Sequence, residues 1–434
     1  HYTKRPDIVL YVNGIALGVL ELKRSSVDVS HGIRQNLDNQ TREFILPFFA
    51  TVQLVMAGND TQGLRYGVIG TNEKYALTWS EEGEAEGDAV RSPLDRALLQ
   101  LCAPARLLEI IHDFIVFDAG WKKTCRHHQY FGVRAAQVRI SQREGGIIWH
   151  TQGSGKSLTM VWLAKWIREH DPNGRVLILT DREELDRQIE KVFLGVDEQI
   201  YRTRSGADLL ATLRATQPWL ICSLIHKFGR RDDGDVDSFV KELQAASAQG
   251  FAPHGNLYLF VDECHRTQSG KLHEAMKALL PNALIIGFTG TPLLARDKQT
   301  SLEVFGSFIH TYRYDQAVRD GVVLDLRYEA RDIDQRLTSP ARVDAWFESK
   351  TSGLTDLAKA QLKARWGTMQ RVLSTSERLD RIVSDIMFDM ETRARLMDGH
   401  GNALLVSDSI LNACRLYEKF TELGFANCAI VTSY

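Results

Sequence analysis

Apolar residues along this chain fall into distinct textures, and each predicts a different kind of structure. Residues 1 to about 92 carry short β-like runs broken by turn signals, as in Ile8-Val9-Leu10-Tyr11-Val12 and Ile15-Ala16-Leu17-Gly18-Val19-Leu20. Residues 93 to 117 show helical spacing at Leu94, Ala97, Leu98, Leu101, Leu107, Leu108 and Ile111, with Pro93 at a first turn and Pro104 marking a break. From about 126 to 325, short continuous apolar runs at 146–149, 175–180, 219–223, 257–261 and 283–288 alternate with helical patterns. A strand covered by helices on both faces has no polar side, so these runs predict a parallel sheet in a doubly wound α/β domain. Beyond 326 the pattern turns to charged helices at 354–373 and 378–397. A further buried-strand run follows at 402–406, with a helix behind it, and the run at 430–434 reads as another strand.

This pattern predicts a multi-domain α/β protein. Residues 1–117 form a mixed α/β domain with a helical connector, 118–325 a parallel-sheet domain, and 326–434 a linker with the beginning of a second parallel-sheet domain. The length of 434 residues agrees, since one hydrophobic core rarely grows so large. The chain starts His1-Tyr2-Thr3-Lys4, which reads as the middle of a longer protein. No run approaches the ~18 apolar residues that span a bilayer. The six cysteines contain no Cys-x-x-Cys pair, which argues against structural zinc and fits a reducing cytoplasm. A net charge of −2 gives no global case for nucleic acid, so DNA binding rests on local basic groups. Lys122-Lys123 and Arg230-Arg231 are candidates, although exposed loop charge is their default reading. His31, His112, His254, His273 and His310 lack metal-ligand spacing and read as structural or surface residues.

Two stretches carry chemistry. The first is Ile147-Ile148-Trp149-His150-Thr151-Gln152-Gly153-Ser154-Gly155-Lys156-Ser157, a strand, a glycine-bearing loop and a helix start. Gly153, Ser154 and Gly155 let backbone N–H groups close around phosphate oxygens, and the helix N-terminus favours the anion. Lys156 would reach the β- and γ-phosphates of ATP, and the Ser157 hydroxyl would ligate Mg²⁺. The usual opening glycine is replaced by His150. Downstream, the run Leu259-Phe260-Val261 ends in Asp262-Glu263. There Asp262 would hold Mg²⁺ through water and Glu263 would polarise the attacking water.

The second stretch is Arg5-Pro6-Asp7 through Leu22-Lys23, a predicted hairpin turning at Asn13-Gly14. Glu21 and Lys23 are two apart and share a strand face. A plain two-residue turn would put Asp7 and Glu21 on opposite faces. An odd loop or a single bulge is therefore expected, bringing Asp7, Glu21 and Lys23 together as a metal-dependent phosphodiesterase site. The acids would bind Mg²⁺, and Lys23 would stabilise transition-state charge or orient the water.

The phosphate loop, Asp262-Glu263-Cys264-His265 and Phe288-Thr289-Gly290-Thr291-Pro292 together resemble helicase superfamily 2. That resemblance implies that Thr289 and Thr291 couple nucleotide state to domain motion, and that Arg182 in Thr180-Asp181-Arg182 contacts the DNA backbone. Arg126-His127-His128-Gln129-Tyr130-Phe131 resembles the adenine-reading segment, with Gln129 as the base contact. The Asp7, Glu21, Lys23 set resembles PD-(D/E)xK nucleases, in which a Gln-x-x-x-Tyr helix element often follows. Gln35 fits that element as a DNA or metal-site contact, but Asn39 stands where the tyrosine would be.

An N-terminal PD-(D/E)xK domain followed by a superfamily 2, RecA-like motor is similar to the restriction subunit of type I restriction–modification enzymes. Asp262-Glu263-Cys264-His265-Arg266-Thr267-Gln268-Ser269-Gly270 sharpens the likeness. The resemblance implies ATP and Mg²⁺ as cofactors, double-stranded DNA as substrate, and methyltransferase and specificity subunits as partners. It also implies translocation on unmethylated sites, with cleavage far from them. The alternative, a DNA-repair nuclease–helicase, would usually place the nuclease after the motor. The motor's arginine finger would follow Tyr434, so this stretch alone is expected to bind ATP weakly and hydrolyse it little.

Overall fold

A computed structural model of the chain describes residues 4–81, 92–180, 183–224, 251–263, 277, 279–291, 305–326, 328–331, 348–349, 351–355, 358–359, 361, 376–394, 396–397, 401–425 and 427–432. Two compact units result, His1–Asp325 and Leu326–Tyr434.

The first unit holds two main sheets. Strands β1 (Ile8–Val12), β2 (Ile15–Leu22), β3 (Leu54–Asn59) and β4 (Gly63–Gly67) form a mixed sheet in that order. β1–β2 and β3–β4 are antiparallel and β2–β3 is parallel, the crossover carrying helix α1 (Ser30–Asn39). Asn13 and Gly14 both have positive φ, 50° and 81°, as a two-residue hairpin turn with strand-like twist demands. The expected irregularity is a bulge. Tyr11 pairs with Ala16 but Leu10 pairs with Gly18, so Leu17 is the extra residue.

The connector is two helices, α2 (Pro93–Leu101) and α3 (Pro104–Asp113), each with proline in its first turn. Ser92 caps the first by accepting from the Asp95 N–H. The helical reading of residues up to 117 is corrected at its end. Residues 115–117 belong to β5 (Ile115–Asp118), which pairs antiparallel with β6 (Trp121–Thr124). The β-branched, aromatic Ile115-Val116-Phe117 run suits a hairpin, and the Ala119-Gly120 turn, with φ of 51° and 82°, closes it.

The larger sheet is all parallel. It contains β7 (Gly146–His150), β8 (Gly174–Thr180), β9 (Tyr201–Arg202), β10 (Leu220–Leu224), β11 (Asn256–Val261), β12 (Leu284–Thr289) and β13 (Phe308–Tyr312), in the order β13-β7-β12-β11-β8-β10-β9. Each predicted apolar run is a strand to within a residue or so, whereas the edge strands β9 and β13 were not anticipated. Alternate residues face opposite cores. Ile147, Leu177, Leu179, Ile221 and Leu259 pack with Leu209 and Leu213 of helix α7 (Gly206–Arg214). Ile148, Val176, Ile178, Phe260 and Phe288 face α4 (His127–Ser141), α5 (Lys156–His170) and α6 (Glu183–Gly195).

That second core is continuous with the small sheet. Leu20, Leu54, Met56 and Tyr66 join Leu101, Ile110, Phe114 and Trp162 in one buried cluster. Tyr66, 1% exposed, donates its hydroxyl to the Cys125 carbonyl at 2.8 Å, tying the small sheet to the chain entering α4.

In the second unit, helices α9 (Ser376–Thr392) and α10 (Ile410–Glu422) pack through Leu379, Val383, Leu416 and Phe420, numbering α8 (Tyr314–Arg319) in the first unit before them. The strands expected at 402–406 and 430–434 are corrected. Neither segment is a strand among its described residues, and Leu404, Val406 and Val431 are 85%, 81% and 90% exposed. An apolar run becomes a parallel strand only when neighbours supply the ladder, and no strand lies among the described residues of this unit. The helical pattern at 354–373 falls mostly outside the described residues.

Replacing Tyr66 by Phe is expected to leave the fold intact and the Cys125 carbonyl unpaired. Denaturant unfolding should register a loss of about 1–2 kcal/mol.

Candidate functional site

The bulge at Leu17 sets the geometry of the first site. With Ile8 opposite Leu20, continuing the register puts Asp7 opposite Glu21, and Asp7 Oδ2 accepts the Leu22 N–H at 2.8 Å. Val19 belongs to the small core of the sheet's second face, with Phe49, Val52 and Val55, so Glu21 lies on the same face two residues on. α1 covers it there. Gln35 Nε2 donates to Glu21 Oε2 at 2.7 Å, and Asn39 Nδ2 donates to Glu21 Oε1 at 3.2 Å. Lys23 Nζ donates to Gln35 Oε1 at 2.7 Å. Asp7, Glu21, Lys23 and Gln35 thus converge as expected, and Asn39 joins them. Its only sequence signal was its place one helical turn after Gln35, which puts both side chains on one face of α1.

Burial first, and the neighbouring Asp7 charge second, push the Glu21 pKa up to about 7. Two carboxyl groups within hydrogen-bonding range, one buried and one exposed, form a place where a divalent cation would relieve repulsion. Among the described residues no cluster of three or more metal-ligating side chains forms.

The second site lies at the carboxyl edge of the parallel sheet. β7, β12 and β11 are adjacent, so the loops that follow them emerge side by side. Gly153 and Gly155 have φ of 80° and 91°, a left-handed backbone that glycine adopts without strain. α5 begins at Lys156, with Ser157 in its first turn. Lys156 Nζ lies 4.0 Å from Glu263 Oε1. Asp262 and Glu263 are buried, and Asp262 Oδ1 accepts the Glu263 N–H at 3.0 Å. Burial, then the Glu263 charge, pushes the Asp262 pKa up to about 6. Lys156 also lies over Gly290, where an added Cβ would sit 2.8 Å from Nζ. Thr289 follows in the buried end of β12, and its Oγ1 accepts the Thr291 N–H at 3.3 Å.

Gln129 sits against the glycine loop. Its amide is engaged at both ends, Oε1 accepting the Arg126 N–H at 2.8 Å and Nε2 donating to the Gly155 carbonyl at 2.9 Å. It is 3% exposed and links the start of α4 to the glycine loop before α5. Arg182, Arg230-Arg231, residues 264–270 and Pro292 lie outside the described residues. Cys102, Cys125, Cys222, Cys414 and Cys428 are free thiols. Among the described residues no helix is long and apolar enough to cross a membrane.

In the thermodynamic sense, a carboxyl whose pKa is raised on folding, here from 4.5 to about 7, favours the folded state fully below pH 4.5. That contribution is lost as pH rises through about 7. Chelator-treated protein is therefore expected to lose stability across this window, by on the order of 1–3 kcal/mol. Glu21→Gln should flatten the loss, read as melting temperature against pH. Gly290→Ala should fold, since the tip of Lys156 can move and Gln152, whose backbone N and Oε1 would lie 3.3 Å from the added Cβ, need give only slightly. It should displace that ammonium and raise the KM for ATP about tenfold, checked by steady-state ATP hydrolysis.

Comparison with known proteins gives the following. Residues 128–360 match the family described as SWI2/SNF2 ATPase, and residues 1–74 match the type I restriction enzyme R protein N terminus. The chain is similar to the endonuclease subunit assigned to a type I restriction enzyme in Methanocaldococcus jannaschii, with 28% identity over 96% of this chain and 42% of the relative. It is similarly close to the HindI type I endonuclease subunit of Haemophilus influenzae, with 28% identity over 96% of this chain and 41% of that one. The chain therefore spans less than half the length of these curated relatives. Among solved structures, the ATP-dependent Type ISP restriction-modification enzyme LlaBIII bound to DNA is a looser likeness. Its identity is 14% and its TM-score 0.43, covering 70% of this chain and 21% of that one.

Proposed function

We propose the following reading of a chain that belongs to the SWI2/SNF2 ATPase family: it is the nuclease-and-motor portion of a type I restriction subunit. The parallel-sheet part binds ATP with Mg²⁺ and drives translocation along double-stranded DNA. The small mixed sheet cuts that DNA in a Mg²⁺-dependent reaction. Methyltransferase and specificity subunits supply target choice, and the assembly works in the cytoplasm.

The observation that carries this reading is the bulged hairpin. It sets Asp7 against Glu21, with Lys23 and Gln35 beside them, in the same compact unit as a phosphate loop whose lysine reaches the Asp262–Glu263 pair. Asp7 and Glu21 would hold the cation, which supplies an activated water and offsets charge on the phosphate. Lys23, held by Gln35, keeps an ammonium beside the carboxylates, where negative charge grows on the attacked phosphate. With ATP bound, Glu263 would orient the attacking water, Ser157 and Asp262 would hold a second Mg²⁺, and Thr289 and Thr291 would sense the nucleotide state. Arg182 contacts the DNA backbone.

The alternative of a repair nuclease–helicase is disfavoured by chain order, since the small sheet precedes the motor. In the assembled enzyme, Asp7→Ala should abolish DNA cleavage while DNA-stimulated ATP hydrolysis continues. Lys156→Ala should abolish hydrolysis and, with it, cleavage. Intact cutting by the Asp7 variant would refute the nuclease assignment.

A further inference from the structure

Behind the phosphate loop lies a buried histidine cluster that the ATP-site reading does not use. His128 is 1% exposed and stacks on Tyr312, with ring centroids 3.8 Å apart and planes within 7°. Its Nε2 lies 2.9 Å from the Ser154 carbonyl oxygen. A carbonyl can only accept, so Nε2 carries the proton and His128 is the neutral Nε2–H tautomer. Nδ1 is then a bare acceptor, buried and without a hydrogen-bond partner among the described residues. His150, fully buried at the position where such loops usually open with glycine, hydrogen-bonds His310 at 2.9 Å. Its ring stands edge-on to His128, and Gly132 leaves room for it. Burial pushes the pKa of both His128 and His150 well down, and that of His310 to about 4, so these rings are uncharged packing and hydrogen-bonding groups.

The adjacent residues of α4 hold adjacent carbonyls of the loop: His128 holds that of Ser154, and Gln129 that of Gly155. A trans peptide points its C=O and its N–H in opposite directions. Anchoring the Ser154 carbonyl from behind therefore aims the Gly155 N–H forward, and anchoring the Gly155 carbonyl aims the Lys156 N–H forward. Gly153 and Gly155 are both left-handed and have no Cβ to restrict those planes; the Gly155 carbonyl is also held by the Leu158 and Thr159 N–H groups of α5, whereas the Ser154 carbonyl is held by His128.

We propose that His128 is a positioning residue for the nucleotide phosphates, acting with Gln129 to fix two consecutive peptide planes of the phosphate loop so that their N–H groups face the anion. The proposal rests on the ATP-site reading above. His150 and His310 support the His128 ring from the sheet side, in the place of the missing glycine.

The test is DNA-stimulated ATP hydrolysis by the assembled full-length enzyme, comparing wild type, His128→Phe, His128→Gln and Lys156→Ala. Phe keeps the ring against Tyr312 but has no donor, whereas the Gln amide places a donor near the Nε2 position. The expected result is a KM for ATP raised about tenfold in His128→Phe, with kcat changed less than about twofold, and most of the KM recovered in His128→Gln. A wild-type KM in His128→Phe beside a dead Lys156→Ala would overturn the positioning role alone. Undiminished hydrolysis in Lys156→Ala would overturn the ATP site itself. If the Phe variant fails to fold, the ¹⁵N shifts of labelled His128 in the wild type decide. An Nε2-protonated neutral ring supports the proposal, and an Nδ1-protonated or charged ring overturns it.

Discussion

The two-residue period of the β-strand is the constraint on which both candidate sites depend. In the small sheet, parity decides whether Asp7 and Glu21 meet at all. The Asn13-Gly14 turn alone pairs residues whose numbers sum to 27, and the bulge at Leu17 changes that sum to 28 for Leu10 and everything before it. One inserted residue thus turns two carboxylates on opposite faces into a facing pair. In the large sheet, parity sorts the strand residues into two cores, and strand order sets the rest. Because β12 lies between β7 and β11, the loop bearing Gly290 emerges beside the loops that carry Lys156 and Glu263, and Lys156 lies over Gly290 while reaching toward Glu263.

Much of this was legible from sequence because burial on both faces leaves an unbroken apolar run. β8 and β11, in the interior of the large sheet, read plainly. β13 did not, since an edge strand with His310 in its middle has one side only partly covered. β9 has two residues and no pattern to read. The 402–406 run shows the converse limit: its composition is that of a buried strand, but composition cannot supply a ladder. At the sites, spacing within one element was readable, as with Glu21 and Lys23. Contacts between distant elements were not. Asn39 meets Glu21 across a helix–strand packing, and His128 meets Ser154 across 26 residues.

The small sheet's two faces have different duties. Leu20, Leu54, Met56 and Tyr66 are committed to a core shared with the parallel-sheet part, while Glu21 faces the other way under α1. Trp79 extends the shared face. Its ring lies 5.5 Å from Tyr130 and 5.8 Å from Phe131, the residues directly after Gln129. Helix α4, which holds the glycine loop through His128 and Gln129, is thus packed one residue further on against Trp79, which in turn lies against Tyr66 of the sheet that carries the carboxylates. Since the interior is close-packed, a shift of α4 cannot be absorbed silently by its aromatic neighbours.

Both sites also share an electrostatic design. Each sets two acids side by side near a strand end with at least one of them buried, and each raises a carboxyl pKa, Glu21 to about 7 and Asp262 to about 6. Each keeps one lysine within reach, yet in neither does the lysine offset the pair fully. Lys23 is engaged with Gln35, and Lys156 stands 4.0 Å from Glu263. An ammonium that cancelled the acids would leave nothing for a cation to bind and no positive charge for an incoming phosphate. Holding each lysine slightly apart leaves the negative charge of each pair only partly offset, a pattern that favours a divalent ion and a phosphate arriving together.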